Sequence, residues 1–305
     1  MRAYNPTINI LRVISVSSVL LYHIDSSRFQ NGFLGVDIFL IISGFLMADI
    51  MERYGRLNYT TYIKFFLARL RRLLPPLIVT SALSLIACML LMMPADLEDA
   101  SEAIFSSLLF VSNVYFLLTT NYFNNYSASG VYLHTWSLSL ELQYYMCAPF
   151  LIHFLNKLKL INVIWLLLVA TFLAIVLSGI KDMYQFFLLP GRIYQFWAGY
   201  FVFRLINETG LVTLKKRRLS FVFKETGLFV VICLVLLLDG FFVAGIYVNI
   251  LITLLTVSLL FVSYGSTLSA RLDAIWVLRL VGMYSYSIYL VHQPIIFLLS
   301  YSEVL

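Results

Sequence analysis

In the stretch "HTWSLSLELQYY", His134, Ser137 and Glu141 follow one another at spacings of three and four residues within an otherwise largely apolar run. On a helix that spacing puts an imidazole, a hydroxyl and a carboxylate on one face. Two earlier apolar runs carry more such groups: Arg12 and His23 in "LRVISVSSVLLYH", and Asp37 in "GVDIFLIISGFLM". A carboxylate beside an imidazole fixes its tautomer and raises its basicity, which is what drawing a proton from a hydroxyl requires. Arg12 and His23 share a helix face at depths that differ by about 16 Å at 1.5 Å rise per residue. Taken singly, a histidine among apolar helices can simply bond a neighbour, Asp37 can cap a helix, and Ser43-Gly44 can let two helices pack closely. Taken together, His23, Asp37, His134 and Glu141 collect at one level of the chain's crossing pattern, and a shared chemical task accounts for that better.

The elements that must position them are membrane helices. Apolar residues make up 61% of the chain and charged residues 12%, the mean hydropathy is +0.91, and soluble domains lie far from these values. The apolar runs are about twenty residues long, enough for a helix to cross roughly 30 Å of hydrocarbon, and none alternates as a barrel strand does. The expectation is therefore all-α: a polytopic helical bundle embedded in the bilayer. Spans are expected near 7–24, 34–51, 74–93, 136–155, 160–178, 191–206, 222–240, 245–263 and 280–300, about nine in a single transmembrane domain. The first run stays attached, because it contains Arg12 and lacks a small-residue cleavage pattern.

Charge orients the bundle. Arg53, Arg56, Lys64, Arg69, Arg71 and Arg72 cluster in one connection and Lys215, Lys216, Arg217 and Arg218 in another; both should face the cytoplasm. These are topology signals, and no nucleic-acid partner is expected. To keep both clusters inside, the segment 97–119 must not cross singly, so it is expected to be an outer amphipathic or re-entrant helix with Asp96, Glu98, Asp99 and Glu102 toward the external water. His23, Asp37 and Glu141 then belong to the outer half, and Arg12 lies deeper. Cys88, Cys147 and Cys233 are widely separated, without metal spacing, and read as small core residues. No metal is expected. A transporter or flippase would use similar residue types in proton relays, but no inverted repeat or pair of broken helices is visible.

Five ordered blocks, "LRVISVSSVLLYH", "GVDIFLIISGFLM", "RLRRLLPPL", "HTWSLSLELQYYMCAPFL" and "SYSIYLVHQP", resemble the signature blocks of the acyltransferase-3 family of membrane acyltransferases. The resemblance implies transfer of an acyl group, usually acetyl from acetyl-CoA, to a hydroxyl of a carbohydrate or cell-envelope glycoconjugate at the outer side of the inner (cytoplasmic) membrane. It implies His23 as the catalytic residue with Asp37 and Glu141, and Arg12 with the Arg69-x-x-Arg72 pair on the phosphates of coenzyme A. It also implies His134, Trp136, Ser137 and Tyr145 on the acceptor side. The partners so implied are acyl-CoA, a carbohydrate or glycolipid acceptor and the bilayer itself. The chain departs from the family pattern at Asn9-Ile10, where Asp-Gly is usual, and at Ala68, where a further arginine is frequent. Family members also usually carry one more span after the last block.

Overall fold

The computed structural model describes residues 4–55, 57–119, 128–209, 226–227, 229–233, 235–236 and 245–304. Arg56, the Lys215–Arg218 cluster and most of the span expected at 222–240 lie outside the described residues. Among the described residues every regular element is helical. α1 (Pro6–Ile24) starts with its N-cap Asn5, whose side chain accepts from the Thr7 and Ile8 amides, and with proline at the first helical position, where a missing N–H is harmless. A 3-10 turn, Gln30–Leu34, leads into α2 (Gly35–Tyr54). Then follow α3 (Tyr59–Leu91), α4 (Pro94–Leu108), α5 (Ser112–Thr119), a second 3-10 turn at Ala128–Thr135, α6 (Trp136–Leu155), α7 (Leu160–Ile180), α8 (Asp182–Phe187) and α9 (Leu189–Thr209). The described chain ends with α10 (Ile246–Ser263), α11 (Thr267–Asp273), α12 (Trp276–Met283) and α13 (Ser285–Val304).

Among the described residues, five stretches are long and apolar enough to cross a membrane: α1, the first 3-10 turn with α2, α3, α7 and α10. This is a multi-pass membrane protein. α6, α9 and α13 have 20, 21 and 20 residues, but Glu141, Arg192 and Arg204, and His292 with Gln293 lower their hydropathy. α7 leaves Ile161, Trp165, Leu168 and Phe172 exposed, a surface suited to acyl chains.

Two expectations change. The span expected at 74–93 is the second half of a 33-residue helix, with Pro75 and Pro76 inside it rather than at its end. At 1.5 Å per residue α3 is about 50 Å long, well over the hydrocarbon thickness, so its basic first half has room at the membrane surface. The segment 97–119 is two helices. Val111 N donates to Ser106 O and Phe110 N to Ser107 O, both at 3.0 Å, with Phe110 in the left-handed region at φ 56°. That is a Schellman cap, and it breaks the segment into a hairpin.

The chain divides into two compact units: 1–53 with 155–171 and 194–288, and 54–154 with 172–193 and 289–305. In the first, α2 and α9 run in the same direction. A Cβ on Gly44 would lie 1.9 Å from Phe196 O, and one on Gly199 would lie 2.0 Å from Ile41 O. Further along, Phe45 meets Phe203 at 5.5 Å and Asn207 donates to Glu52 at 2.9 Å, so residue numbers rise together. Parallel spans need an odd number of crossings between them. Of the helices between them, α3 and α7 are long and apolar enough to cross.

In the second unit the hairpin hangs on α6. Ser107 bonds Thr135 at 2.6 Å, Ser112 bonds Ser139 at 2.7 Å, and Gln143 Nε2 donates to Asn113 Oδ1 at 2.8 Å. From Thr135 to Gln143 is about 12 Å of helix, so the tip reaches that far along α6. Its start is tied to the end of α13, where Tyr301 donates to Asp96 at 2.6 Å.

Candidate active site

In the first unit the chemistry-bearing residues stand on α1 and α2. His23 is half-buried in the last turn of α1, and its Nδ1 lies 2.9 Å from Val19 O. That carbonyl can only accept, so Nδ1 carries the proton and, in the neutral ring, Nε2 carries the lone pair. The ring also meets Tyr22 edge-on at 5.1 Å. α2 begins directly against this part of α1: a Cβ on Gly35 would lie 2.4 Å from Ser15 O and 3.0 Å from Val19 Cγ2. Val19 is thus a landmark shared by the turn that holds His23 and the turn that opens α2. Asp37, two residues on, is 1% exposed in the first turn of α2, where the helix dipole favours a carboxylate. Arg12 is half-buried on α1 about 16 Å along the helix from His23, so it addresses a different depth.

Asn9 shows what the departure from Asp-Gly accomplishes. Its Nδ2 donates to Asp273 Oδ1 at 2.8 Å and to Arg279 O at 3.2 Å. An aspartate could donate neither bond. The carboxylate stands on α11 instead, where Tyr4 also bonds it. Tyr4 precedes the span, and burial together with the Asp273 carboxylate pushes its phenol up to about 12. Sequence spacing could not reveal Asp273, because it is 264 residues from Asn9.

In the second unit a polar row runs along α6. Ser137, Glu141 and Tyr145 follow at four-residue spacing, one face of the helix. Tyr145 donates to the Glu141 carboxylate, and its ring meets Phe65 at 6.5 Å. The Arg69 guanidinium lies 5.7 Å over that same Phe65 ring. Arg69 is buried whereas Arg72 is exposed, so the two arginines expected to act as one fork have different surroundings. At the other end of the row Ser137 bonds the Tyr289 hydroxyl at 2.7 Å.

His134 does not share the α6 face as its spacing suggested. It belongs to the 3-10 turn Ala128–Thr135, and α6 begins only at Trp136. Its Nε2 lies 3.1 Å from Leu290 O, its carbonyl accepts from Tyr289 at 2.8 Å, and its ring stands 5.2 Å from that of His292. Trp136 likewise points into packing rather than along the row. It contacts Phe186 at 4.4 Å, and the buried Arg192 lies 5.6 Å over its ring and 4.8 Å over Phe186. Tyr289, His292 and Arg192 were not singled out from the sequence. An arginine in the apolar run "LLPGRIYQFWAGY" and a histidine in "SYSIYLVHQP" were the available signals.

Residues 5–302 match the acyltransferase-3 family, described as an acyltransferase domain. Peptidoglycan O-acetyltransferase OatA of Listeria monocytogenes is 29% identical, aligned over 97% of this chain and 50% of its own length. O-acetyltransferase OatA of Staphylococcus aureus is 26% identical, over 96% of this chain and 51% of its own. The chain thus spans about half the length of these curated relatives. No solved structure matches it.

Proposed function

The chain belongs to the acyltransferase-3 family, and on that footing we propose that it is a membrane O-acyltransferase carrying an acetyl group from cytoplasmic acyl-CoA to a carbohydrate hydroxyl at the outer face of the cytoplasmic membrane. The names of the OatA relatives favour acetyl as the group and a cell-wall glycan as the acceptor. The observation that carries the reading is the tautomer of His23: Nδ1 is committed to Val19 O, so the base is Nε2. His23 Nε2 takes the proton of the acceptor hydroxyl while the oxygen attacks the thioester carbonyl carbon. The C–S bond breaks, and the imidazolium returns the proton to the departing thiolate. Asp37, opening α2 near the same turn, favours the transient imidazolium.

Arg12 offers a guanidinium to the donor's phosphates at a depth that leaves about 16 Å to His23. The arm between phosphate and thiol has as many chain bonds as about four extended residues, so a reach of about 14 Å. Arg69 and Arg72 serve the donor from the basic half of α3, and the Ser137–Glu141–Tyr145 row with Tyr289 and His134 addresses the acceptor. The test is release of free coenzyme A by the purified protein in proteoliposomes supplied with acetyl-CoA and a muropeptide or chito-oligosaccharide. Acceptor-dependent release that drops at least a hundredfold in His23→Ala is expected, since a general base contributes about 10²–10⁴. Movement of glycan across the bilayer without donor would identify a transporter instead.

A further inference from the structure

α10 carries a row of polar residues that the chemistry above leaves unused. Asn249, Thr253, Thr256 and Ser263 fall on one face of this helix, at spacings of four, three and seven residues. All four are 5% exposed or less, in a helix whose mean hydropathy is 2.2. Thr253 satisfies itself, donating to Asn249 O at 2.7 Å. Asn249 Oδ1, Thr256 Oγ1 and Ser263 Oγ have no hydrogen-bond partner among the described residues. A hydroxyl on a helix ordinarily turns back to the carbonyl three or four residues earlier. Thr256 and Ser263 do not, so their oxygens are held away from their own backbone. An unpaired buried group of this kind is destabilising, and polar groups kept inside membrane helices mark substrate paths.

The row's position indicates what runs along it. Thr7 donates to Ser263 O at 2.7 Å, so the end of α10 meets the first turn of α1. From that shared level α1 rises to His23 over about 24 Å, and α10 runs back to Asn249 over about 21 Å. Asn249 therefore comes within about a turn of the depth of His23, and the row covers the interval between Arg12 and His23. An occupant of this path needs a narrow chain, a reach of roughly 14 Å or more, and hydrogen-bonding groups at intervals. A pantetheine arm has these properties, with two amides and a hydroxyl strung between methylenes and ending in the thiol.

We propose that Asn249 and Thr256, about 10 Å apart along α10, hydrogen-bond the amides and hydroxyl of the donor's pantetheine arm, with Asn249 at the thioester end, and that Ser263 lies beyond the arm, at the nucleotide. The proposal rests on the reading of acyl-CoA as donor. It is tested with the full chain in proteoliposomes and three donors of decreasing length: acetyl-CoA, acetyl-pantetheine and S-acetyl-N-acetylcysteamine. The variants Asn249→Leu, Thr256→Val and Ser263→Ala remove the polar atom and keep much of the volume.

Thr256→Val is expected to lower kcat/KM about tenfold for the two long donors and Ser263→Ala for acetyl-CoA alone, and both should leave the short thioester unchanged. Asn249→Leu should affect all three. Thermal stability should hold or rise, because no existing bond is lost. An equal loss for short and long donors, or lowered stability with unchanged kinetics, overturns the path. A wild-type protein that turns over none of the three donors overturns the acyl-CoA reading itself and the occupant with it, whereas wild-type turnover matched by every variant overturns the path alone.

Discussion

Alanine at position 44 tests how closely α2 must lie against α9. The added methyl would sit 1.9 Å from Phe196 O and 2.7 Å from Phe196 C. Both are backbone atoms, so no side chain can swing aside. Restoring an ordinary contact of 3.4 Å from 1.9 Å requires the helices to part locally by about 1.5 Å, and overpacking of this kind costs about 1–3 kcal/mol. Seven residues earlier α2 carries Asp37, and a misplacement of about 1 Å at a reacting centre can lower the rate about a hundredfold. Gly44→Ala should therefore lower the apparent melting temperature in detergent by several degrees and reduce acceptor-dependent coenzyme A release by ten- to a hundredfold. Gly199→Ala, whose methyl would lie 2.0 Å from Ile41 O, should behave alike. The pair together should lose less than the sum, because both act on one contact. Wild-type melting and turnover in Gly44→Ala would refute the close parallel packing of these helices.

Replacing Arg72 by lysine should raise the apparent acetyl-CoA KM by about ten- to a hundredfold, the loss expected when a planar fork on phosphate becomes a point charge, with melting unchanged because Arg72 is exposed. Arg69→Lys should lower the melting temperature as well, since its guanidinium packs over Phe65; unchanged donor kinetics in both variants would remove these arginines from donor binding. Asn9→Asp should destabilise the protein by about 1–3 kcal/mol by facing Asp273 with a second carboxylate, and the loss should shrink at acid pH, where one of the two takes a proton; equal thermal stability at neutral pH would show that the Asn9–Asp273 bond contributes nothing. In a background with Cys88, Cys147 and Cys233 replaced by alanine, Glu98→Cys should react with an impermeant thiol reagent from outside the cell and Lys157→Cys only after permeabilisation. Labelling of both from one side would mean that the hairpin crosses.

Composition alone determined that this protein lives in a membrane as a helical bundle, because only long apolar helices can satisfy their backbone groups in hydrocarbon. Local spacing also placed Arg12 and His23 at two depths of one helix, put Asp37 in a first turn and set Ser137, Glu141 and Tyr145 in a row. These are properties of a 3.6-residue repeat, and the repeat is written in the chain. Charge further led to the expectation that 97–119 does not cross singly, and the structure divides that segment into α4 and α5. Other features depended on partners far away in sequence. Seven-residue spacing could not show that His134 stops short of α6, because the helix starts where the 3-10 turn holding His134 against Leu290 ends. Arg69 and Arg72 look alike in "RLRRLLPPL", and only the packing of Phe65 and Tyr145 makes one buried and the other exposed. Asn9 acquires its meaning from Asp273, and Ser137 its partner from Tyr289. In a soluble protein the apolar stripe of a helix marks the side that is buried; in lipid both the buried and the outward faces are apolar, so periodicity falls silent about which residues meet, and only the assembled bundle decides it.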